Sequence, residues 1–106
     1  MALFGKWVEL ASEDEFKQID RKEVFHDGRL DLLIVKTEEG YFTVENTCSH
    51  EYAPLSGGLL EGCEIECPLH GARFDVRTGK PLTPPANRSI RRFDTKVEDG
   101  KVWVKV

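Results

Sequence analysis

Apolar and polar residues alternate along most of this chain, and the pattern lapses in one long stretch. Residues 6–11, Lys-Trp-Val-Glu-Leu-Ala, alternate and predict a first strand. Ser12 with Glu15 three positions later predicts a capped turn of helix before Asp20. Residues 21–25 and 30–36 are rich in branched and apolar side chains and predict two strands. His26-Asp27-Gly28 joins them, and Asp-Gly is a strong hairpin signal. Glu38-Glu39-Gly40 predicts a second turn, leading into a strand over residues 41–45. Residues 91–97 and 101–106 alternate around Glu98-Asp99-Gly100 and predict a closing hairpin. Trp7 and Trp103 fall within these strand patterns and are expected in the core.

From residue 46 to 85 the alternation is gone. This stretch holds the prolines, several glycines and all three cysteines, with short strand candidates at residues 64–66 and 73–75. A segment so rich in loops needs more than apolar packing to fix it, and a bound metal would supply that. The prediction is an all-β chain, a single domain over 1–106, with a loop-built site inserted at about 46–86.

Composition narrows the function. With 40% hydrophobic and 32% charged residues, the chain is ordinary for a globular protein. No apolar run approaches the ~20 residues of a membrane span, and residues 1–7 lack the features of a secretory signal. No membrane role is expected, and a cytoplasmic location is. A net charge of −4 argues against nucleic acid as a partner. That average conceals a split. Residues 1–66 hold six Lys/Arg against fifteen Asp/Glu, whereas residues 67–106 hold nine against four. The split could orient docking on a charged partner, or folding could interleave the charges.

Three cysteines, an odd number, do not make a disulfide framework. Two of them have histidine neighbours at ligand spacing: Cys48-Ser49-His50 and Cys67-Pro68-Leu69-His70, with sixteen residues between His50 and Cys67. Two such loops brought together offer two thiolates and two imidazoles, a set that suits a tetrahedral zinc or an iron–sulfur cluster. Cys63 has no such neighbour and is expected to be a small buried residue. His26 is expected at the surface. No phosphate-binding glycine loop is present, and one spare histidine cannot complete a Ser/His/Asp set or an oxygen-activating facial triad.

The paired loops resemble the Rieske family, whose motif is Cys-x-His followed at this kind of interval by Cys-x-x-His. Gly71 after His70, Gly57-Gly58 between the loops and the proline-bearing segment 81–86 extend the likeness beyond the ligands. The resemblance implies a Rieske iron–sulfur fold, an antiparallel β-sandwich base with a cluster-binding subdomain. It implies one [2Fe–2S] cluster per chain, with Cys48 and Cys67 on the buried iron and His50 and His70 on the outer one. High-potential members carry two further cysteines joining the loops, and hydroxyl donors after the second loop. The matching positions are Ala53, Leu69, Ala72 and Phe74. Without those donors the reduced cluster is less stabilised, so the potential is expected near the low end of the Rieske range, roughly −150 mV.

Chains of this form are similar to the ferredoxin components of bacterial aromatic-ring-hydroxylating dioxygenase systems, of the biphenyl and carbazole type. The implied role is a one-electron carrier, not an enzyme. It would run from an NAD(P)H-dependent flavin reductase to a terminal oxygenase, docking transiently near His50 and His70. Glu51, Tyr52 and Leu69 flank the ligands as docking or shielding residues. The alternatives are a small subunit of an assimilatory nitrite reductase and a zinc-stabilised β interaction module. A domain cut from a longer oxygenase is a further one, against which Met1 and the closing hairpin weigh.

Overall fold

Four consecutive residues, Leu32-Leu33-Ile34-Val35, are each no more than 1% exposed, and they set the layout. A strand this apolar on both sides has to be covered on both faces. The computed structural model describes residues 5–48, 53–69, 71–83 and 88–106. Among them the chain forms β1 Trp7–Ser12, β2 Arg21–His26, β3 Leu30–Thr37, β4 Gly40–Glu45 and β5 Leu60–Glu61. It continues with β6 Glu64–Glu66, β7 Arg73–Asp75, β8 Arg92–Phe93, β9 Thr95–Glu98 and β10 Lys101–Lys105. All pairings between these strands are antiparallel.

The central sheet runs β2-β3-β4-β8. On one of its faces Leu32 and Ile34 join Phe93 and meet Ala11, Val102 and Val104 from the sheet β1-β10-β9, closing a sandwich. Phe16, from the 3-10 turn Glu13–Phe16, plugs the same core and meets the Tyr41 ring edge-on at 5.1 Å. Glu15 reaches back to accept the Ser12 N–H at 2.8 Å, as the Ser12/Glu15 spacing foretold. On the opposite face Leu33, Val35 and Val44 pack against the loop-rich segment and its small sheet β5-β6-β7.

The hairpins fall where the pattern puts them. Asp27 and Asp99 take positive φ, 56° and 54°, each just ahead of a glycine, in two tight turns of one kind. His26, beside the first turn, is half-buried rather than fully exposed.

The single strand expected over residues 91–97 is instead two. Phe93 pairs with Thr43 in the central sheet, whereas Thr95 pairs with Val104 in the other sheet. The chain crosses between sheets at Asp94, whose carbonyl accepts the Lys105 N–H at 2.9 Å. Alternation gives the side on which each residue lies but not the sheet that its backbone joins. The expected core position of the tryptophans also needs correcting. Trp7 is 37% exposed with Lys96 Nζ 4.6 Å from its ring centroid, and Trp103, between the buried Val102 and Val104, is only half-buried. Among the described residues no helix is long and apolar enough to cross a membrane.

Candidate metal centre

Each cysteine of the paired motif begins a loop at the end of a strand. Cys48 follows β4 and Cys67 follows β6 directly, and both are 0% exposed. The two loops close alike. Cys48 N–H donates to the Ala53 carbonyl at 2.8 Å, and Cys67 N–H to the Ala72 carbonyl at 2.6 Å, both from residue i to i+5. The second loop is tightened by Gly71 N–H to the Cys67 carbonyl at 3.1 Å, with Gly71 at φ +73°, in the left-handed region that favours glycine. His50 and His70 lie outside the described residues, as do Glu51, Tyr52 and residues 84–87 of the proline-bearing segment.

Cys48 and Cys67 share one buried cluster with Ala53, Leu55, Ile65, Ala72, Phe74 and Val76. A thiolate in surroundings this apolar is costly unless a cation compensates it. Two buried soft anionic donors on matched loops therefore fit an iron–sulfur centre. Ala72 and Phe74 are both fully buried, and neither side chain carries a hydroxyl. Ala53 is 7% exposed and Leu69 58%, and neither can link the loops covalently. Cys63 is buried, with its Sγ 3.6 Å from Thr37 Oγ1, in keeping with a packing role.

The polar residues beneath the loops escaped the sequence reading. Asn46, 1% exposed, donates from Nδ2 to Glu23 at 2.7 Å and to Asp31 at 3.3 Å, and accepts the Ser56 N–H at 2.8 Å. The Ser56 hydroxyl donates to Glu23 at 2.8 Å, and Arg21 Nη1 donates to the Ser56 carbonyl at 2.9 Å and to the Gly58 carbonyl. The one available signal was the position of Asn46, a short amide where a strand gives way to the Cys48 loop. The start of the proline-bearing segment is tied to β7: Leu82 N–H donates to the Arg73 carbonyl at 2.7 Å, and Arg73 N–H to the Thr83 hydroxyl at 2.9 Å.

Electrostatics brings the two parts of the charge pattern together. Arg73 pairs with Glu61 at 2.9 Å, Glu66 at 3.0 Å and Glu64 at 3.4 Å, and Glu61 above all holds its guanidinium above the ordinary range. Arg77 bonds Asp75 and Glu39, and the Asp75 carboxyl is lowered chiefly by that hydrogen bond from Arg77. Lys101 reaches Glu9 at 3.4 Å. Apart from Arg77 with Asp75, at these points basic residues of the second part interleave with acidic residues of the first.

A family model described as the Rieske [2Fe-2S] domain matches residues 6–94. The chain belongs to the Rieske family. Its cofactor is a Rieske-type [2Fe–2S] cluster. It is 41% identical over 100 residues to the ferredoxin component of a 2,4-dinitrotoluene dioxygenase system from Burkholderia sp., covering 94% of this chain and 95% of that protein. The ferredoxin of carbazole 1,9a-dioxygenase from Nocardioides aromaticivorans superposes with a TM-score of 0.87 at 33% identity, covering 94% of this chain and 97% of that one. A similar match, TM-score 0.87 at 31% identity over 93% and 92% of the two chains, is to a solved complex of oxygenase and ferredoxin in carbazole 1,9a-dioxygenase. A nitrite reductase small subunit from Mycobacterium tuberculosis, TM-score 0.83 over 96% of each chain, is only 16% identical and shares the fold alone.

Proposed function

We propose that this Rieske chain is the ferredoxin of an aromatic-ring-hydroxylating dioxygenase system, carrying one electron at a time from a flavin reductase to a terminal oxygenase. The observation that carries this reading is the likeness to such ferredoxins over nearly the whole of both chains. The nitrite reductase reading rests on a shared fold at 16% identity and gains nothing further. In the proposed site Cys48 and Cys67 hold one iron and His50 and His70 the other, within a cluster-binding part of about 46–86. When bound, the cluster takes up and releases one electron, changing net charge from zero to −1.

The protein supplies the surroundings. Leu55, Ile65 and Phe74, each fully buried, keep water from the thiolate side. That burial turns electron exchange away from the thiolates, and Leu69, next to His70 in sequence, is 58% exposed and available to a partner. Docking is brief, because the carrier must leave one partner to meet the next. A cytoplasmic location belongs to the same reading.

To test this, the dithionite-reduced protein is mixed anaerobically with an oxidised terminal oxygenase of an aromatic dioxygenase system. The reading predicts that one electron per chain passes to the oxygenase. A protein that takes up no electron, or keeps it in the presence of such oxygenases, would overturn the proposal.

A further inference from the structure

No disulfide joins the two cysteine loops, since Cys48, Cys63 and Cys67 are not paired with one another. Residues 56–58 lie between them instead. A Cβ added at Gly57 would meet Pro68 Cγ at 3.8 Å, and one at Gly58 would collide with the Glu66 carbonyl, just ahead of Cys67. The segment is thus seated on the second loop. From the other side it is gripped by β2. Arg21 holds the Ser56 and Gly58 carbonyls, and Glu23 holds the Ser56 hydroxyl and the Asn46 amide. Asn46, two residues ahead of Cys48, takes the Ser56 N–H on its side chain and the Leu55 N–H on its backbone carbonyl, at 2.8 and 3.3 Å.

We propose that Arg21, Glu23 and Asn46 form a clamp that fixes the Cys48 loop against the Cys67 loop, and are positioning residues for electron transfer. The proposal rests on the cluster reading above. Charge-assisted bonds from a guanidinium and to a carboxylate are among the stronger hydrogen bonds. Ligands held by such supports keep one geometry, and loss of the supports weakens metal retention. None of the three residues belongs to the sandwich core of Ala11, Leu32, Ile34, Phe93, Val102 and Val104. The clamp and the base can therefore be perturbed separately.

The test compares Arg21→Gln with Val102→Ala, a cavity in the sandwich core on the far side of the central sheet. Both are prepared with the cluster loaded, and iron release to a chelator is compared at equal loss of melting temperature. Arg21→Gln is expected to release iron about ten-fold faster than Val102→Ala, with a broadened EPR spectrum of the reduced protein at equal iron content. Arg21→Lys, which keeps the charge without the guanidinium, is expected to recover part of the difference. Glu23→Gln, nearly unchanged in size, gives the same signature more weakly and decides the matter should Arg21→Gln not fold. Equal release rates with unchanged spectra would overturn the clamp alone. A native protein without a Rieske signal would overturn the cluster reading and the clamp with it.

Discussion

The two faces of the central sheet are stabilised in different ways. On the sandwich face, Val102 and Val104 meet Leu32 and Ile34 in a core built by strict alternation. On the cluster face, apolar residues such as Leu55, Ile65 and Phe74 are also buried, but short strands and loops carry them. There the backbone is fixed by Arg21, Glu23, Asn46 and Thr83 rather than by long sheet ladders. The sandwich can stand on burial alone, whereas the face proposed to carry the cluster would need its polar ties and its metal. The two faces should therefore fail independently.

The largest separation comes from Cys67→Ala. Bound iron and visible colour should be lost completely while the far-ultraviolet circular dichroism of the base persists; loss of both together would join the two faces into one unit. Gly58→Ala is next, because its methyl group would collide with the Glu66 carbonyl. A cost of about 3 kcal/mol is expected, read by chemical denaturation and accompanied by reduced iron content. Val102→Ala should cost about 2 kcal/mol, through lost burial and a residual cavity. Its midpoint potential should stay at the native value, because Val102 faces away from the site.

The smallest effect concerns pH. The Glu15 carboxyl is lowered, first by its hydrogen bond with Lys22 and then by the Ser12 N–H. A lowered carboxyl contributes stability that is complete above its unfolded pKa, about 4.3, and fades as pH falls through the folded value. Glu15→Gln should therefore melt slightly below the native protein at neutral pH and together with it in acid. A gap that widened in acid would give the linkage the wrong sign.

Legibility in the sequence follows the same division. The meander β2-β3-β4 and the last hairpin could be read because period-two alternation and Asp-Gly turns are local signals. The split at Asp94 could not, since Phe93 joins the central sheet through Thr43, distant in sequence. The exposure of Trp7 was hidden for a similar reason: it depends on what covers the outer face of a sheet. At the proposed site, Cys48 and Cys67 stand out because two spaced donor pairs form a rare pattern. Arg21 and Glu23 were not, because their partners lie 33 to 37 residues away for Ser56 and Gly58, and 23 for Asn46. Ordinary charged residues on a strand carry no local sign of such a task.

The central claim is that this Rieske chain is a low-potential one-electron carrier. An EPR-monitored redox titration of the purified protein tests it most directly. The account predicts a rhombic signal, at a lower average g than all-cysteine clusters give, appearing with one electron per chain at roughly −150 mV. A midpoint above zero would contradict the effect assigned to Ala72 and Phe74, and a protein that gives no signal on reduction would contradict the electron-carrier function itself.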